Sequence, residues 1–86
     1  MLYKVYALYA PVHDRIYVGL TTGLGEMMQS LNGNKTGSKL EELGPWTLIH
    51  MELFPTEDEA SLRKAYLDSP EGMAYIRTDI LALFDF

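Results

Sequence analysis

The chain has no cysteine among its 86 residues. That excludes disulfides and thiolate metal sites, and it fits a reducing cytoplasm. It has little positive charge: seven Lys and Arg stand against twelve Asp and Glu, a net charge of −5. The bases are scattered, with Lys35 and Lys39 as one weak cluster and Arg63-Lys64 as another. Facing them in the sequence are Glu41-Glu42 and Glu57-Asp58-Glu59. Nucleic-acid binding draws most of its affinity from cations that neutralise phosphates, so this balance disfavours nucleic acid as a partner. No stretch is long and apolar enough to span a bilayer, and no membrane association is expected. The apolar start, Met1 to Ala10, is interrupted by Lys4 and three tyrosines, and reads as a strand rather than a signal peptide.

What is present is core material. Apolar residues make up 48% of the chain, with six Tyr, three Phe and one Trp, which is globular rather than disordered composition. The length allows a single domain, residues 1–86, with a thin core.

Leu2 to Ala10 is apolar on both faces, with Tyr3, Val5, Ala7 and Tyr9 on one and Leu2, Tyr6 and Leu8 on the other. Such a strand belongs in the middle of a covered sheet. Arg15 to Thr21 alternates, Ile16, Val18 and Leu20 against Tyr17, Gly19 and Thr21, and the short Pro11–Asp14 connection makes the two strands an antiparallel hairpin. Leu24, Met27, Met28 and Leu31 form a helical stripe that Asn32-Gly33 stops. A polar loop from Gly33 to Gly44 comes next, with a helical turn near Ser38 to Glu42. Trp46 to Phe54 reads as a third strand in which His50 shares a face with Trp46, Leu48 and Phe54. Thr56 with Glu59 has the form of a capping box and opens a helix running to about Asp68. Ser69-Pro70-Glu71 opens another, whose core stripe is Met73, Ile76, Ile80 and Leu83. The predicted class is α+β: a small three-stranded antiparallel sheet flanked by helices, in the order β-β-α-β-α-α.

Two short motifs stand out. Tyr6-Ala7-Leu8-Tyr9 lies on the first strand and Tyr17-Val18-Gly19-Leu20-Thr21 on the second. Downstream come Leu24 and Asn32, then Gly44-Pro45-Trp46-Thr47-Leu48, Glu59-Ala60 and Ile76-Arg77. In this order they resemble the motifs of the GIY-YIG nuclease superfamily, in its single-domain bacterial form, a fold associated with DNA repair. The resemblance runs over nearly the whole chain and implies the same fold.

It also implies a site. Tyr9 and Tyr17 fall on the family's tyrosines, and Gly19 leaves room beside them. Met27 stands where the family has an Arg that steadies the phosphate, Leu31 where it often has a His, and Lys64 where a Glu holds a divalent cation. A thioether does not stabilise charge on phosphorus, an aliphatic chain does not shuttle a proton, and an ammonium repels Mg²⁺. The resemblance therefore implies a pseudoenzyme: an endonuclease-like domain that has lost catalysis, uses no metal or other cofactor, and binds a protein partner or a second copy of itself. Gly19, Thr21, Met27, Leu31 and Lys64 are the expected contact residues. The plainer reading keeps Met27 and Leu31 as core and Lys64 as a solvated side chain at the helix edge. The alternative is an atypical endonuclease needing Mg²⁺ or Mn²⁺, with catalytic groups relocated to Arg63, Arg15 or Glu26. His13, in the turn, and His50 are too far apart in sequence to suggest a metal motif.

Overall fold

The computed structural model describes residues 2–32 and 45–84, excepting the side chains of residues 29–32. The expected helical turn near Ser38 to Glu42 lies outside the described residues. Strand β1 spans Tyr3–Ala10, β2 Arg15–Thr21 and β3 Thr47–Phe54. They form one antiparallel sheet in the order β2-β1-β3. β1 is central because it alone is apolar on both faces, and its residues from Val5 to Ala10 are all buried.

A four-residue turn, closed by the His13 N–H on the Ala10 carbonyl, sets the hairpin register. Ala10 lies opposite Arg15, Leu8 opposite Tyr17 and Tyr6 opposite Gly19. Asp14 takes the left-handed conformation the turn needs, φ 52°, which a short polar side chain tolerates.

β3 departs from simple alternation. Its pairing with β1 shifts between Ala7 and Leu8, which lie opposite His50 and Leu48 and leave Ile49 as the extra residue of a bulge. A one-residue slip sends side chains to the other face. Trp46 and Leu48 therefore pack with Tyr6, Leu8 and Ala10, whereas Ile49 and Phe54 pack with Val5, Ala7 and Tyr9. The expectation that His50 shares a face with Trp46 and Leu48 is thus corrected: His50 lies opposite Ala7, on the other side of the sheet.

Helix α1, Leu24–Asn32, covers the Tyr6 face with Leu24, Met27 and Met28. Helix α2, Glu57–Asp68, covers the opposite face with Ala60 and Leu67. Thr56 caps α2 as expected, its Oγ1 accepting from the Glu59 N–H. Ser69 serves two helices: its backbone N–H donates to the Tyr66 carbonyl at the end of α2, and its Oγ accepts from the Gly72 N–H of helix α3, Pro70–Tyr75. α3 runs on into a π-helical turn, Ile76–Ile80, and a 3₁₀ turn, Leu81–Leu83. The wide π turn rotates the side chains beyond it to new directions. Ile76 and Ile80 are buried, but Leu83 is 83% exposed and Leu81 packs against the core instead. The expected stripe holds through Ile80 and fails at Leu83 for that reason. No described helix is long and apolar enough to cross a membrane.

Candidate functional site

Hairpin register places Tyr6 and Tyr17 on one face of the sheet, on adjacent strands. Their ring centroids are 6.2 Å apart and tilted at 44°. Gly19 lies directly opposite Tyr6, and a Cβ there would strike the Tyr6 phenol. The glycine is what lets that ring lie across β2 towards Tyr17. Trp46, just ahead of β3, meets Tyr17 edge-on at 6.4 Å. Leu24, Met27 and Met28 of α1 close over the three rings. Tyr6 and Trp46 are buried, while Tyr17, Met27 and Met28 stay half-exposed.

This environment works against ionisation. Burial first, then the neighbouring Tyr17 phenol, pushes the Tyr6 hydroxyl up to about 12. At neutral pH the Tyr6 phenol therefore stays protonated.

Tyr9 is elsewhere. Strand alternation turns it to the α2 face, where it packs with Val5, Ala7 and Ile76. Its hydroxyl donates to Asp14 Oδ1 at 2.8 Å. Arg77, from the π-helical turn, donates to the same oxygen at 3.2 Å and to the Asp14 carbonyl at 3.4 Å. The Tyr9 hydroxyl, then Arg77, hold the Asp14 carboxyl below the usual carboxylate range. The same hydrogen bond, backed by burial, raises the Tyr9 hydroxyl. The structure thus separates the Tyr9 and Tyr17 expected to line one site and brings Tyr6 to Tyr17 instead. The signal was in the sequence. A four-residue turn pairs position 10 with 15, so Tyr17 shares its face with even-numbered residues of β1.

The other candidate residues disperse. Gly19 and Met27 belong to the tyrosine cluster. Thr21 Oγ1 accepts from the Gly23 N–H at 3.0 Å, shaping the entry to α1, and Thr21 also borders an open groove with Tyr3, Leu20, Thr22 and Glu57. The Leu31 side chain lies outside the described residues. Lys64 is on α2, across the sheet from Tyr17, and pairs with Asp68 one turn on at 2.8 Å. Of the relocated catalytic groups considered, Arg15 and Glu26 are exposed. Arg63 is held by Glu52 through two hydrogen bonds, 2.8 and 3.0 Å. Glu52 also meets His50 Nε2 at 2.6 Å. Burial pushes the Glu52 carboxyl up, but Arg63 and His50 outweigh it and hold the group below its ordinary value. This His50–Glu52–Arg63 network was not foreseen, because the bulge that brings His50 to it leaves no mark in the sequence pattern.

The described residues around Tyr17 do not fit a divalent cation, which takes hard oxygen ligands, carboxylates above all. The described cluster offers thioethers, an indole and two phenols. Among the described residues no three His, Cys, Asp or Glu side chains gather to hold a metal ion.

Three strands centred on β1, helices on both faces, and a tyrosine pair over a glycine define an α+β domain of nuclease-like architecture. The family model described as the GIY-YIG catalytic domain matches residues 2–69, and the chain belongs to the GIY-YIG family. Its fold is similar to the solution NMR structure of the UPF0213 protein BH0048 from Bacillus halodurans, with a TM-score of 0.55 and 21% identity over 91% of this chain and 84% of that one. No curated protein matches the chain in sequence.

Proposed function

We propose that this GIY-YIG domain no longer hydrolyses phosphodiesters and acts as a cytoplasmic binding module for a protein partner or a second copy of itself. One observation carries the reading: the face that presents the tyrosine pair is closed by Met27, Met28, Leu24 and Trp46. Phosphoryl chemistry needs cationic groups against the charge that develops on phosphorus, and losing one such group costs about 2.7–4 kcal/mol of barrier. Where the resemblance puts an Arg against that charge, this chain has the thioether of Met27, packed in the tyrosine cluster. The buried Tyr6 phenol is a poor base at neutral pH.

The electrostatics point the same way. Among the described residues Arg63, Lys64 and Arg77 are each paired with a carboxylate. A phosphate backbone therefore finds few free cations here. Half-exposed Tyr17, Met27 and Met28 suit an adaptable apolar contact. Of the expected contact residues Met27 lies on this face; Gly19 is buried beneath the Tyr6 ring and serves to seat it, and Lys64 has no part in the face.

The test is metal-dependent nicking of plasmid and branched DNA by the purified chain, with Mg²⁺ and Mn²⁺. No cleavage above background is expected. Robust cleavage that disappears in both Tyr6→Phe and Tyr17→Phe variants overturns the reading.

A further inference from the structure

The outer side of α2 carries apolar residues where a surface helix ordinarily presents polar ones. Ala60 and Leu67 turn inward and are buried, yet Leu62 and Tyr66 are 74% and 41% exposed. One exposed leucine means nothing by itself. These two are neighbours at i and i+4, and the second is held in place. The Arg63 guanidinium stands 5.2 Å from the Tyr66 ring centroid and 5.9 Å from that of Tyr75. Arg63 is in turn anchored by its two hydrogen bonds to Glu52 on β3. A ring already restrained loses less freedom when it is covered, and Tyr beside Arg is the composition that most often carries interface energy.

Charge borders this ridge on one side. Asp58 lies one turn before Leu62 and Glu59 three residues before it, with Glu57 adjacent, all three exposed. Among the described residues no cation pairs with them. At the other end Asp68 is already neutralised by Lys64.

We propose that the Leu62–Tyr66 ridge is a docking surface for a basic segment of a protein partner. An apolar side chain of that segment packs between Leu62 and Tyr66, and its Lys or Arg side chains meet Asp58 and Glu59. Charge favours this occupant over a second copy: the chain carries a net charge of −5, and the Arg63 and Lys64 of a second α2 are already taken. The ridge lies across the sheet from the tyrosine pair, so the inference goes beyond the proposed function and does not depend on it.

The experiment is an amide chemical-shift titration of the ¹⁵N-labelled full chain. The probes are a short amphipathic peptide of leucine and lysine and its leucine–glutamate counterpart. The lysine peptide should shift amides of residues 58–66, less so as salt is raised, and the glutamate peptide should not. Leu62→Ser should weaken binding about tenfold or more. Asp58→Lys with Glu59→Lys should transfer the preference to the glutamate peptide. Glu26→Lys with Asp79→Lys makes the same change in net charge elsewhere and should keep the lysine peptide. The unperturbed spectrum of each variant reports its fold. Shifts centred on another surface, equal loss in the two charge-reversed pairs, or no effect of Leu62→Ser would overturn the proposal. So would a concentration series showing the ridge covered by a second copy before peptide is added.

Discussion

Gly19 and Tyr6 are a matched pair, and each is legible only through the other. A methyl group on Gly19 would meet the phenol ring of Tyr6 rather than open space. Gly19→Ala should cost about 1–3 kcal/mol, the usual cost of forcing an extra carbon into a packed site. Thermal unfolding of Gly19→Ala, Tyr6→Leu and the double variant should show coupling, with the second change less costly once the ring is gone. Tyr6 also sets a high-pH limit. Its folded hydroxyl is raised from 10.0 to about 12, so the folded state disfavours the phenolate. The stability tied to this group is fully present below pH 10 and drains away as pH rises through about 12. Phenolate absorbance followed through that range should lose a late-ionising step in Tyr6→Phe.

Among the elements, α2 owes its place to contacts that the linear pattern reveals only in part. The cap at Thr56 and the inward Ala60 and Leu67 follow from spacing. The bond from α2 to β3 through Arg63 and Glu52 does not. Glu52→Gln should destabilise the domain by about 1.5–3 kcal/mol, the range for hydrogen bonds to charged groups. Because the folded carboxyl is held below its ordinary 4.5, its contribution is present above that pH and is lost as pH falls through the folded value. The acid limb of a urea-midpoint against pH profile should therefore flatten in Glu52→Gln. The α2–α3 corner has a second constraint. Gly72 sits against the Tyr66 carbonyl and the Leu67 Cα, so a side chain there meets backbone that has no rotamer with which to yield. Gly72→Ala should cost about 3 kcal/mol, at the upper end for overpacking, read as a drop in urea midpoint. The Ser69-Pro70 start signal foretold α3, but nothing in the pattern foretold the π turn that takes Leu83 out of the stripe.

For the whole molecule, the arrangement is a three-stranded sheet with a different surface on each side. Among the described residues, α1 covers the tyrosine face and α2 and α3 cover the other. In a domain this small the centre matters most. Leu8 is fully buried in the central strand. Leu8→Ala should cost about 2–5 kcal/mol, much of the total stability of a domain of this size, and calorimetry should show a markedly lower Tm. The acidic balance of the full sequence, −5, holds for the described surface too, where paired arginines and lysines leave unpaired carboxylates in excess.

What the sequence decided by itself is the set of elements, their order and the family. Period-two and period-3.6 patterns, caps and turn residues are local, and each is written within a few neighbouring positions. Which tyrosines meet was half-legible: the length of the Pro11–Asp14 turn implies it, but only once pairing across the hairpin is counted. Only the tertiary structure decided the face of His50, the Glu52–Arg63 link, the Tyr9–Asp14–Arg77 contact and the exposure of Leu83. Those depend on a bulge, on contacts between residues up to 63 positions apart, and on one wide helical turn. A single inserted residue in a strand or helix turns every later side chain to a new direction while leaving the composition of the segment unchanged.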